Sequence, residues 1–101
     1  MKPVRLSALA RDDLQEACGH LEREAGPAVL ERFVVSVNAT IESLSERPEL
    51  YQVVHVGLAV RRALTRRFPY AVYYRVDVDE VLILAIVHHK RHPDTWLRSQ
   101  D

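Results

Sequence analysis

Seven consecutive apolar residues, Val81 to Val87, constrain this chain more than any other stretch. The run falls far short of the ~20 residues that cross a bilayer. It is also too uniform to alternate between a core face and water. A strand covered on both faces satisfies it, which puts a sheet at the centre of the fold and this strand inside the sheet. The chain must supply that strand with neighbours and a covering layer from 101 residues. That length is a single small domain, residues 1–101. At 48% hydrophobic and 28% charged residues, the composition is globular and excludes disorder and collagen-like repeats.

The covering layer is legible upstream. Val4 and Leu6 alternate with Arg5 and Ser7, which predicts a short first strand. Ser7 is placed to cap a helix, with Asp12 and Asp13 near its positive end. Leu14, Ala17, Cys18, Leu21 and Ala25 keep one-face spacing, so the first helix runs over Ala8–Ala25. Gly26-Pro27 stops one helix and starts the next. Leu30, Phe33, Val34, Val37, Ile41 and Leu44 form the stripe of the second, which ends near Glu46 because Pro48 follows. So short a break predicts a helical hairpin.

After Pro48 the period changes. Leu50–Gly57 is a connection, partly extended. Ala59–Thr65 alternates as a strand, with Arg61 and Arg62 on opposite faces. Tyr70–Val76 is β-branched and aromatic, hence a strand, and Asp77–Glu80 is the polar turn into Val81–His88. Tyr74 belongs to the core; Tyr73 shares a face with Ala71 and Arg75, where it reads either as a ring exposed beside the arginines or, the favoured reading, as a cross-strand packing partner. Pro93–Arg98 predicts a short terminal helical turn, with Trp96 as a lid on the sheet end. The expected architecture is α+β, a helical hairpin on one face of an antiparallel sheet, in the order β-α-α-β-β-β.

Function is less directly written. There is no apolar leader after Met1-Lys2-Pro3-Val4-Arg5, so a cytoplasmic location is expected, with no membrane partner. A domain of ~100 residues has little room for a deep cavity, which favours a surface site or a partner protein. Cys18 alone can make no internal disulfide and falls on an apolar helix face. No Gly-rich phosphate loop, H-E-x-x-H, G-x-S-x-G or C-x-x-C is present.

The fourteen basic and fourteen acidic residues cancel, but the basic ones concentrate in the second half, and Gly57 to Arg75 contains no Asp or Glu. Arg61, Arg62, Arg66 and Arg67 read either as a charge-protected edge strand or as an anion-binding cluster. His88-His89-Lys90-Arg91-His92 gathers donors at one sheet end, where a histidine can work as acid or base. Adjacent strand histidines face opposite ways, and the pair His89 and His92 lacks a carboxylate or thiolate partner. No metal and no cofactor is therefore expected.

These residues resemble the RelE/ParE superfamily of toxins from type II toxin–antitoxin systems. The resemblance rests on Ala10-x-x-Asp13-Leu14, Leu44 with Pro48, Val60-Arg61-Arg62, Phe68-Pro69-Tyr70-Ala71-Val72-Tyr73-Tyr74, and Leu84 through Pro93 with Trp96. It covers essentially the whole chain. It implies a small growth inhibitor, associated with plasmid stabilization, held inactive in a heteromeric complex by a cognate antitoxin. One branch comprises ribosome-dependent RNases that cut mRNA with basic residues and a C-terminal Tyr or His. By that resemblance Arg62, Arg91 and His89 are the catalytic candidates. The set is eroded here: Leu64, Ala71 and Leu97 stand where that branch has lysine, arginine and tyrosine. The ParE branch, which binds DNA gyrase, tolerates the loss, and the H-x-x-R-x-P ending resembles it more. The expected target-binding surface is Arg61, Arg62, His89 and Arg91. The antitoxin is expected to cover apolar surface beside the helical hairpin and sheet.

Overall fold

The structure, a computed structural model, describes residues 1–90. Its elements are β1 (Val4–Leu6), α1 (Ala8–Ala25), α2 (Pro27–Glu46), β2 (Gln52–His55), β3 (Val60–Leu64), β4 (Tyr70–Val76) and β5 (Val81–His88). The helix bounds follow from local chemistry. Ser7 Oγ accepts from the Ala10 N–H at 3.0 Å, tying one orphan donor at the start of α1. Gly26, at φ +88°, ends α1 in a left-handed conformation that a side chain would resist, and its N–H returns to Glu22 O. Pro27 then opens α2, where its missing N–H costs nothing.

The sheet order is β1-β5-β4-β3-β2. Two details differ from expectation. The connecting segment contains a further strand, β2, which pairs with β3. The sheet is also mixed, because β1 lies parallel to β5 while all other pairs are antiparallel. The first follows from pairing with β3, and the place of β1 follows from the demand of the apolar run. An interior strand needs two neighbours: β4 supplies one, and β1, entering beside it through Val81 N–H to Pro3 O and Ser7 N–H to Ile83 O, supplies the other. β3 in turn is shielded by β2, so its arginines do not guard a sheet edge.

Every residue of β5 before His88 is buried. Val81, Ile83 and Ile86 join Ala10, Leu44, Ala63, Val72 and Tyr74 in a core beneath the helices. Phe33, Val37, Ala17 and Tyr70 extend it along the hairpin, with Phe33 edge-on to Phe68. The other sheet face holds Val60, Ala71, Tyr73, Leu82, Leu84, Ala85 and Val87. A register shift between Tyr73 and Tyr74 puts Leu84 and Ala85 on this same face. Tyr73 is 3% exposed, which fits the cross-strand packing role and not a ring exposed beside the arginines. It sits in register between Arg62 and Ala85 on a central strand, enclosed by that apolar cluster. Among the described residues no helix is long and apolar enough to cross a membrane. The expected terminal helical turn, Pro93–Arg98, and Trp96 lie outside the described residues.

Candidate target-binding surface

The two adjacent arginines of β3 have different employment. Arg61 pairs with Tyr74, on the helix side. Its Nη1 donates to Tyr51 O at 2.7 Å and Glu49 O at 3.1 Å, which holds the entry to β2. Tyr74 beneath it donates to Pro48 O at 2.6 Å, and burial pushes its phenol up to about 12, against the opposing pull of the Arg61 charge. Arg61 is thus a tie between the sheet and the segment after α2. Arg62 pairs with Tyr73 and Gln52 on the opposite face and is half-buried.

His88 and His89 stand where β5 leaves the sheet. The His88 ring packs edge-on to Tyr70, with centroids 5.8 Å apart, and stacks on His89 at 5.1 Å and 16°; the two rings do not face opposite ways as expected, because β5 ends at His88 and strand alternation stops there. Lys90 N–H donates to His88 Nδ1. His89 is exposed, and both its N–H and its Nδ1 lie within hydrogen-bond reach of Pro69 O, at 2.8 and 3.1 Å. A carbonyl oxygen only accepts, so this contact assigns the proton to Nδ1 and leaves Nε2 as the acceptor of the neutral ring. Arg62 and His89 therefore stand two strands apart, Arg62 at mid-sheet and His89 at the sheet end. Arg91, the fourth expected member, lies outside the described residues.

Sequence reasoning missed the residue that sets this strand exit. Asp13, near the start of α1, suggests a dipole partner of its own helix. It lies beyond the first turn, is buried, and its Oδ2 accepts from the Ile86 N–H at 3.1 Å. The signal was its place between Ala10 and Ala17 on the buried stripe, where a carboxylate needs a partner on another element. A cavity of about 410 Å³ opens beside it, with Glu16, His20 and Arg23 of α1 facing Tyr70, His88 and Lys90. Cys18 is half-buried at the helix interface, where burial pushes its thiol above the ordinary range and makes it a poor nucleophile.

Comparison with known proteins places this arrangement. The family model described as "ParE toxin of type II toxin-antitoxin system, parDE" matches residues 4–93. Among solved structures, the chain is similar to one from the chromosomal ParDE system of P. aeruginosa. The TM-score there is 0.76 at 22% identity, covering 87% of this chain and 96% of that one. It is also similar to a chain of the RelBE2 toxin–antitoxin complex of Mycobacterium tuberculosis. There the TM-score is 0.53 at 26% identity, over 86% of this chain and 96% of that one. No curated protein sequence matches. With the family model spanning β1 through the residues that follow β5, the chain belongs to the ParE toxin family of type II toxin–antitoxin systems.

Proposed function

We propose that this chain inhibits growth by binding DNA gyrase and that a cognate antitoxin neutralises it. Family membership supports the toxin role. The observation that favours binding over catalysis is the setting of Arg62. The buried residues around it on its face of the sheet are Val60, Ala71, Tyr73, Leu82, Leu84, Ala85 and Val87, and Arg75, which shares the face, is ion-paired with Asp77, whereas cleavage of RNA asks for several cations around one phosphate. We assign target contact to Arg62, His89 and Arg91, with Arg61 holding the strand that carries Arg62. A cationic surface steers the toxin toward a nucleic-acid-bearing target.

The alternative, a ribosome-dependent endoribonuclease, draws its support from His89, which is exposed and whose Nδ1 contact with Pro69 O leaves Nε2 as an acceptor suited to a general base. Induced expression followed by gyrase supercoiling assays and mRNA mapping separates the two. Loss of supercoiling with intact mRNA is the expected result. Codon-specific cuts on ribosomes would overturn it. At equal expression, Arg62→Glu and Arg91→Glu should relieve growth inhibition while His89→Ala is mild. An RNase would instead lose about 10²–10⁴ in rate with His89→Ala.

A further inference from the structure

The β3–β4 turn, Thr65 to Pro69, and the exit of β5 meet at one end of the sheet. Tyr70 pairs with His88 there, and His89 N–H donates to Pro69 O at 2.8 Å. The turn is braced on several sides. Ser36 Oγ of α2 donates to Arg66 O at 2.8 Å. Thr65 is buried, and its hydroxyl lies within bonding distance of Phe68 O and Tyr70 O. Phe68 packs edge-on against Phe33 of α2, with centroids 5.2 Å apart. The carbonyls of Arg66 and Pro69 are thus occupied within the protein, and that of Phe68 has a donor in reach. What the turn offers a partner is cationic: Arg66 and Arg67 are both exposed, and Arg67 is fixed in a left-handed conformation at φ +67°.

Beside the turn, His89 and Lys90 are exposed as well. Among the described residues none of Arg66, Arg67, His89 and Lys90 is in an ion pair. The sheet brings no acid to this end, since none occurs from Gly57 to Arg75 or from Val81 to Lys90. The helices bring Glu31, which lines a groove with Arg66 and Arg67, and Glu16, which lines a cavity with Lys90. Each comes with an arginine of its own helix, Arg32 and Arg23. These helix charges offset one another, and the cations of the turn and the strand exit remain in excess.

We propose that this edge holds the phosphate backbone of duplex DNA, with Arg66, Arg67 and Lys90 each meeting a phosphate. The inference rests on the gyrase reading above for the source of that DNA, and it adds a direct contact between the toxin and nucleic acid. Two observations choose the ligand. A protein partner seeks an apolar centre for its interface. The exposed residues here, Arg66, Arg67, Pro69, His89 and Lys90, are polar but for the proline. A single strand seeks rings on which its bases can stack. Among the described residues every Phe and Tyr is buried or half-buried. A duplex backbone asks only for cations at fixed positions. The bracing of the turn supplies the fixing, so little order has to be gained on binding.

The test is fluorescence anisotropy of the full chain with a labelled DNA duplex of about 20 base pairs, between about 50 and 200 mM salt. Three phosphate contacts predict a slope of log K on log salt of about −3, at about −0.9 for each phosphate. Arg66→Gln with Arg67→Gln should weaken binding about tenfold or more at the lowest salt and flatten the slope by about 2. Lys90→Gln should flatten it by about 1. Arg11→Gln, at an exposed position near the start of α1, should leave it unchanged. Circular dichroism confirms that each variant is folded. The contact is overturned if the wild-type chain does not bind the duplex, or if the folded double variant keeps the wild-type slope. It is overturned equally if polyglutamate or an RNA of equal charge competes better than unlabelled duplex DNA, which would make the partner an acidic protein or an RNA. Gyrase supercoiling is read separately. If the wild type blocks supercoiling and the double variant binds DNA like wild type, the DNA edge fails and the gyrase reading stands. If the wild type leaves supercoiling intact while the double variant loses DNA, the gyrase reading fails and the edge stands.

Discussion

β1 and β2 are both short edge strands of one sheet, but their surroundings differ throughout. On the β1 side Lys2 Nζ donates to Asp77 O and Val78 O, Lys2 N–H to Ser45 O, and Ser45 Oγ back to Lys2 O. Arg5 adds an ion pair to Glu80 at 2.8 Å. These bonds stitch the first strand to the β4–β5 turn and to the end of α2. On the other side all four residues of β2 are exposed, and no charged residue occurs from Leu50 to Val60. Val56 at the hairpin tip is 88% exposed. There a short length and a shift in register between Val53 and His55 limit stray pairing, rather than charge. The β1–β5 half is cross-linked as finished structure. The β2–β3 half, with its aliphatic surface and the arginines that follow it, is where a partner has something to gain.

If that contrast is real, damage to the two halves must have unequal consequences. The largest effect belongs to Ile83→Ala on β5. Its side chain is fully buried beneath the helices, and truncation should cost about 2–5 kcal/mol in urea unfolding. Asp13→Ala comes next. It strands the Ile86 N–H, a buried donor, for a loss of about 1–3 kcal/mol. Faster exchange of the Ile86 amide should accompany it, and Asp13→Asn should restore much of the loss because an acceptor oxygen remains. Arg61→Ala tests the open half. Removing the donor to Tyr51 O and Glu49 O should cost about 1 kcal/mol. The increase in exchange should stay within β2 and the segment before it, leaving β5 protected. Equal loosening of β5 would refute the division into halves.

Much of this was legible because the signals were strong and local. The helix boundaries at Ser7, Gly26-Pro27 and Pro48 depend on backbone chemistry within a turn of each residue. Val81–Val87 announces a strand buried on both faces without knowledge of its neighbours. What remained hidden is non-local. β2 has weak alternation of its own and becomes a strand through its pairing with β3. The parallel β1–β5 pair depends on which edge of β5 stays free. At the candidate surface, the opposite faces of Arg61 and Arg62 follow from strand geometry alone. That Arg61 would bind two carbonyls, and that Tyr73 would be buried, depend on residues up to twelve positions away or on other strands. Asp13 illustrates the same limit, since its partner lies 73 residues along the chain.

The smallest effect tests the stitched edge through its ion pair. The hydrogen bond from Arg5, reinforced by its charge, holds the Glu80 carboxyl below its ordinary value of 4.5. A carboxyl whose folded value is lowered binds fewer protons in the folded than in the unfolded chain through the acid range. Its contribution is therefore full above the unfolded value and is lost as the pH falls through the folded one. Both partners face water, and such pairs are weak and screened by salt. The change should thus be less than that of Arg61→Ala. Glu80→Gln should leave a stability–pH profile flatter than wild type below about pH 4.5, with the difference fading in high salt. Should the two profiles coincide at low ionic strength, the β1 edge is held by the Lys2 and Ser45 bonds alone. The contrast with β2 would then rest on hydrogen bonding rather than charge.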